Sequence, residues 1–103
     1  MNKGNTNYVR RHLRVYRDHK KLLKVPWGLL GDRGLAKKAL IALCIKDVIK
    51  KLPKEIRAYL RLRYFVLEPQ SLSNISMDMD VSERTLNRWD KLVIQRIFTK
   101  LRG

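Results

Sequence analysis

Apolar residues recur at intervals of three and four along most of this chain, and this spacing limits the possible folds more than any other feature. In the first such segment Val9, Leu13 and Tyr16 follow at steps of four and three, the spacing of one face of an α-helix. No segment alternates apolar and polar residues for long enough to indicate a strand, so the sequence predicts an all-α fold. A chain of 103 residues has room for one compact domain, with or without a tail.

The pattern predicts a basic N-terminal helix or arm over residues 1–25 and a helical domain over residues 35–103. We expect the first helix to begin near Tyr8, behind a capping residue at position 5, 6 or 7. Two more helices are expected at Leu35–Lys51 and Lys54–Phe65. The first of these two is apolar over well over half of its circumference, which is typical of a central helix. Its outer side is alternatively a subunit interface, which would make the protein a homodimer.

The chain is strongly basic, with 24 Lys and Arg against 9 Asp and Glu and a formal net charge of +15. The excess is greatest in residues 1–24, where eight basic residues face one acid, a net +7. Such a charge attracts polyanions and gains free energy by releasing their counterions. Charge alone does not separate DNA, RNA and an anionic membrane surface. From charge alone, we expect a group of N-terminal arginines to hold phosphates: Arg10, Arg11, Arg14 and Arg17.

Several classes of protein are disfavoured by the same sequence. The longest apolar run, Ala39–Ile45, is too short to cross a bilayer, and no apolar signal segment opens the chain. A single cysteine, Cys44, gives neither an intramolecular disulfide nor a thiolate zinc site, so we expect a cytoplasmic protein. His12 and His19 are seven residues apart, whereas a metal pair on a helix prefers three or four. We therefore expect no metal, no cofactor, no membrane partner and no enzyme activity, since no Ser-His-Asp or Cys-His set is compelling.

Residues 71–101 read SLSNISMDMDVSERTLNRWDKLVIQRIFTKL. They predict a short helix over Ser71–Asp78, a tight turn at 79–81 and a second helix capped by Ser82. Two short helices joined by a turn of three or four residues, with apolar residues on either side, are the signature of a helix-turn-helix. The second helix has Leu86, Trp89 or Asp90, Val93 and Ile97 at helical spacing, and we expect the stripe 86, 89, 93 and 97 to face the core. One group therefore shares the exposed side: Arg84, Asn87, Arg88 and Lys91.

These residue types suit double-stranded DNA. Arg and Lys pair with guanine or with phosphate, and Asn pairs with adenine through two hydrogen bonds. Ser82 and Thr85, near the helix start, can donate to a phosphate beside exposed backbone N–H groups. Trp27, Tyr8 and Tyr16 could instead stack on unpaired bases, although aromatic residues at such spacing more often belong to the core.

The segment Leu52–Phe65 (LPKEIRAYLRLRYF), followed by Leu72–Ser76 and Val81–Leu86, resembles region 4 of the bacterial sigma-70 family. That region typically shows a Leu-Pro helix start, a Leu-Arg-Tyr-Phe close and then a helix-turn-helix of the form E-I-A…V-S…T-V. The likeness covers about half of the chain. By size, the chain is more similar to small phage and mobile-element activators with sigma-like ends, such as the RinA and ArpU groups.

The chain departs from the sigma pattern at three places. Asn74-Ile75-Ser76 replaces Glu-Ile-Ala, Asp80 replaces glycine, and Trp89 is bulkier than usual. The resemblance implies binding upstream of a promoter and recruitment of RNA polymerase. It also implies that four residues lie in a recognition helix: Arg84, Thr85, Asn87 and Arg88.

The sequence thus predicts a sequence-specific, DNA-binding transcriptional regulator of phage or mobile-element type. Two alternatives stay open at this point. One is an RNA-binding or ribosome-associated protein, because the whole chain is so basic. The other is the DNA-recognition subunit of a phage packaging machine, since such subunits also use helices of this kind.

Overall fold

The structure, a computed structural model, describes residues 3–26, 31 and 33–102. All secondary structure in these ranges is helical, which confirms the all-α prediction. In chain order the helices are α1 (Lys3–His19), a 3₁₀ helix (Lys20–Lys24), α2 (Arg33–Lys50), α3 (Lys54–Tyr64), α4 (Leu72–Met79) and α5 (Glu83–Arg102).

One hydrophobic core draws residues from all five α-helices. Helix α1 contributes Val9 and Leu13, both fully buried, together with Tyr16. These residues belong to the same cluster as Ile45 of α2 and Ile97 of α5, and α1 contacts both helices. The core therefore crosses the boundary that the sequence suggests between residues 25 and 35.

Helix α1 begins at Lys3, so the prediction of a start near Tyr8 is wrong. The polar residues at positions 5 to 7 lie inside the helix and do not cap it. Helix α1 packs against α5, and Thr6 lines a cleft beside Ile94 and Gln95 of α5. This tertiary packing outweighs the local preference of Asn and Thr for helix ends.

Helix α2 is less enclosed than its sequence suggests. Its inner side buries Ala39, Ala42 and Ile45. On the outer side Leu40 and Leu43 remain 54% and 38% exposed. The two sides are thus distinct, and the homodimer interface proposed for the outer one stays a prediction.

Helices α4 and α5 are set by local polar groups at the turn between them. The Ser71 hydroxyl caps α4 by accepting from the Asn74 N–H at 3.2 Å. Asp80 ends α4 in the left-handed region, at φ 55° and ψ 45°, which Asp tolerates better than most residues. The Val81 N–H then donates to the Ser76 carbonyl at 3.1 Å, a bond typical of a helix ending on a left-handed residue.

Candidate nucleic-acid interface

The exposed side of α5 gathers four polar residues, which we call the α5 outer face: Arg84, Asn87, Arg88 and Lys91. All four are exposed, and together they line one open cleft of about 540 Å³. Their spacing of three, one and three residues places them on one side of the helix. The opposite side of α5 is anchored in the core by Leu86, Val93 and Ile97, each fully buried. The packing of these buried residues therefore fixes the rotation of α5 about its own axis and keeps the outer face toward solvent.

The first turn of α5 is stabilised by two hydroxyl groups. Ser82 Oγ accepts from the Thr85 N–H at 3.2 Å and donates to Thr85 Oγ1 at 3.0 Å. Ser82 thus acts as the cap that its sequence position predicts. Because Thr85 Oγ1 accepts one of these bonds, its own hydrogen can still be donated to another acceptor.

The predicted phosphate-binding arginines of α1 do not share one environment. Arg11, Arg14 and Arg17 are exposed. Arg10 instead donates from Nη2 to Asp90 Oδ2 of α5 at 2.9 Å. Its guanidinium thus binds a carboxylate of the protein itself, and this hydrogen bond raises the pKa of Arg10. The sequence does not reveal this pairing, because Asp90 is 80 residues away from Arg10.

Asp90 is the centre of a polar cluster that sequence reasoning missed, which we call the Asp90 network: Asp90, Arg10, Tyr59 and Tyr64. Asp90 is only 4% exposed. Its Oδ1 accepts from the Tyr59 hydroxyl at 2.8 Å and from the Tyr64 hydroxyl at 2.6 Å. A buried charge is tolerated only when it is paired and hydrogen-bonded. The network therefore joins α5 to α1 and α3 directly behind the outer face.

The network also perturbs its two tyrosines. Burial raises the pKa of Tyr59 well above its ordinary value, and the nearby negative charge of Asp90 adds to the effect. Burial and Asp90 raise the pKa of Tyr64 in the same way, although Arg10 opposes the shift. Both phenols therefore remain neutral hydrogen-bond donors over the ordinary pH range.

A signal for this cluster exists in the sequence. The buried positions of α5 are 86, 90, 93, 94 and 97, so the prediction that position 89 belongs to the core stripe is wrong and Asp90 lies there instead. Trp89 is only half-buried. A carboxylate at such a position requires donors. The identity of these donors cannot be predicted from the sequence, since Tyr59, Tyr64 and Arg10 are 31, 26 and 80 residues away.

Two further arginines lie beside the Asp90 network. Arg14 and Arg63 line a small polar cleft of about 110 Å³ together with Asn87 and Asp90. Arg63 also donates from Nη1 to the Gln70 carbonyl at 3.0 Å, which ties α3 to the start of α4. Three arginines and one carboxylate therefore line this cleft, so the lining beside Asn87 carries a net positive charge.

The structure gives little support to the other sites that the sequence suggests. Tyr16 is buried at 8% exposure and packs against Phe65, and Tyr8 packs edge-on against His12; Trp27 lies outside the described residues. Among those residues no three His, Cys, Asp or Glu side chains gather as they would around a metal ion. Nor does any helix in that part of the chain have the length and apolar character needed to span a membrane.

Comparison with protein-family models, with characterised proteins and with solved structures finds no match for this chain. Its function must therefore be inferred from the geometry and the charge of the site.

Proposed function

We propose that this protein is a sequence-specific, DNA-binding transcriptional regulator of the phage or mobile-element type. In this proposal α4 and α5 form a sigma-region-4-like helix-turn-helix. Helix α5 enters the major groove of double-stranded DNA with its outer face toward the base edges. RNA polymerase is the further partner that the sigma resemblance implies.

The observation that carries the proposal is the α5 outer face itself. Two arginines, an asparagine and a lysine lie side by side on a helix that follows a short turn. Arg and Asn make paired hydrogen bonds that distinguish guanine and adenine in the major groove. Within the described part of the chain, the lining of the open cleft on this face includes no acidic residue.

Thr85 and the exposed arginines of α1 take the role of positioning. Thr85 lies at the start of α5, where hydroxyl and backbone N–H groups contact phosphates in many DNA complexes. Arg11, Arg14 and Arg17 extend the positive surface along α1. Contacts of this kind orient a protein on the duplex without reading its sequence. Arg10 already binds Asp90, and its contact with a phosphate stays a prediction.

Selection of bound duplexes from a random pool, followed by sequencing, tests the proposal. We expect the parent chain to enrich a defined motif. Arg84→Ala combined with Arg88→Ala is expected to abolish that motif. The matched control is Arg57→Ala combined with Arg61→Ala, two exposed arginines of α3, which removes the same charge and should leave the motif unchanged.

Failure to enrich any motif would overturn the proposal, as would equal effects of the two double variants. Competition between the duplex and structured RNA at matched salt provides a second test. Preference for the RNA would favour the RNA-binding alternative, and ring-sized assemblies in light scattering would favour a packaging subunit. Recruitment of RNA polymerase is tested by co-purification of the polymerase with the parent chain on the selected duplex.

A further inference from the structure

A second basic surface, which we call the lysine cleft, is lined by residues of α1, the 3₁₀ helix and α2: Tyr16, Lys20, Lys21, Leu23, Lys24 and Lys46. Its volume is about 370 Å³. Three of its lysines come from the 3₁₀ helix and the fourth from α2, and all four are exposed. It shares no lining residue with the α5 outer face.

The charge of the lysine cleft is not balanced by nearby acids of the described chain. Among the described residues no acid lines the cleft, including the two acids closest to its lysines in sequence. Asp47 pairs with Lys100 at 3.6 Å, and Asp18 lines a different cleft with Arg14 and Arg17. Four ammonium groups around one depression repel one another, and a bound polyanion would relieve this repulsion.

The local backbone concentrates these charges further. Side chains three residues apart eclipse in a 3₁₀ helix, which rises about 2.0 Å per residue. Lys21 and Lys24 therefore lie in one row, about 6 Å apart along the helix axis. In an α-helix the same two residues would be offset around the axis.

We propose that the lysine cleft binds the phosphate backbone of duplex DNA beyond the segment seated on α5. This inference rests on the proposed function, and it assigns to the 3₁₀ helix a contact that is independent of base sequence. The protein would thus hold DNA at two places, one that reads bases and one that binds phosphates.

The chemistry of the cleft favours duplex backbone over other polyanionic ligands. Lysine is a point charge without the planar fork by which arginine recognises a base edge, so the cleft suits phosphates rather than bases. Unpaired bases require exposed aromatic faces for stacking. The ring in this cleft, Tyr16, is only 8% exposed and packs against Phe65.

The test compares two variants that each remove four positive charges. The cleft variant carries Lys20→Gln, Lys21→Gln, Lys24→Gln and Lys46→Gln. The control variant carries Lys3→Gln, Lys38→Gln, Lys50→Gln and Lys51→Gln, all exposed and outside the cleft. Affinity is measured over a range of salt concentrations for two duplexes, the selected site alone (about one helical turn, ~10 bp) and the same site within about four turns (~40 bp).

On the short duplex we expect the two variants to bind with equal affinity. On the long duplex the cleft variant should lose up to about 3.6 from the slope of log affinity against log salt, since each phosphate contact contributes about 0.9. The single variant Lys46→Gln should lose about 0.9. The control variant should keep the slope of the parent chain.

Equal slopes for the cleft and control variants on the long duplex would overturn this inference and leave the proposed function standing. A parent chain that binds neither duplex would overturn both. Polyglutamate serves as a third ligand. If the cleft variant binds polyglutamate less tightly than the control but matches it on DNA, the cleft is a site for acidic protein and the inference is wrong.

Discussion

Asp90→Ala removes the carboxylate that joins α5 to α1 and α3. The change leaves the Tyr59 and Tyr64 hydroxyls without the acceptor they share in the interior, at 2.8 and 2.6 Å. It also leaves Arg10 without its ionic partner. Because Asp90 lies on α5, we expect its removal to destabilise the fold and to disturb the position of the outer face.

The size of the effect follows from the burial of each partner. A hydrogen bond to a charged group contributes about 1.5–3 kcal/mol, and both tyrosines are at most 5% exposed. The Arg10 side chain is 36% exposed, so water screens its pairing, which is worth about 0–1 kcal/mol. Removal of one partner from a buried charged cluster costs about 3–5 kcal/mol. We therefore expect Asp90→Ala to lower the free energy of unfolding by about 3–5 kcal/mol.

Urea unfolding followed by helical circular dichroism measures this loss. Arg10→Met is the comparison variant, because it removes the partly exposed partner but leaves the Asp90 carboxylate buried with two tyrosine donors. Its cost should therefore exceed that of a screened pair, about 0–1 kcal/mol, and stay below that of Asp90→Ala. Tyr59→Phe and Tyr64→Phe should each cost about 1.5–3 kcal/mol. For a domain of this size each kcal/mol also lowers Tm by about 4–8 °C.

Two results would refute the reasoning. If Asp90→Ala unfolds within about 0.5 kcal/mol of the parent chain, as ordinary surface changes do, then Asp90 does not hold the helices together. If Arg10→Met costs as much as Asp90→Ala, the ion pair dominates and the tyrosine bonds contribute little.

Three further predictions concern the outer face, the tyrosines and the turn. Arg88→Ala should lower affinity for the selected duplex by roughly 1–3 kcal/mol and relax its base preference, with an unchanged urea midpoint. The control Arg96→Ala, an exposed change on the same helix, should change neither the affinity nor the base preference in a binding titration. The folded-state pKa values of Tyr59 and Tyr64 lie above the ordinary 10.0. Their contribution to the stability of the fold is therefore complete below about pH 10 and is lost as the pH rises beyond that value. Urea midpoints should fall above about pH 10, and they should fall less in the double variant Tyr59→Phe, Tyr64→Phe. Asp80→Gly should leave stability equal or higher, since glycine accepts φ 55° freely, whereas Asp80→Val should cost about 1–2 kcal/mol; equal thermal midpoints for the two would contradict this account of the turn.

Local sequence signals were sufficient for much of the fold. The apolar spacing of α3 and the serine caps before α4 and α5 depend on neighbours within a few residues, and these elements lie within about one residue of their predicted bounds. The start of α1 was not predictable in this way. There the first turns of α1 lie beside α5, about 90 residues away in sequence.

The candidate site divides along the same line. The grouping of Arg84, Asn87, Arg88 and Lys91 follows from helical periodicity once the buried stripe is known. The role of Arg10 depends on a partner 80 residues away. The lysine cleft depends on a 3₁₀ helix where the periodicity suggested a continuous α-helix, and on Lys46 from another helix. Long-range charge pairing leaves almost no trace in a single sequence.

The separation of the two sides of α5 has a consequence for how such a protein can diversify. The residues that would choose a target, Arg84, Asn87 and Arg88, contribute nothing to the packed interior. The packed interior is instead formed on the opposite side of α5, by Leu86, Val93 and Ile97. Under the proposed function, exchanges at the solvent-facing positions could therefore retarget the protein to new operators while its thermal tolerance stays constant.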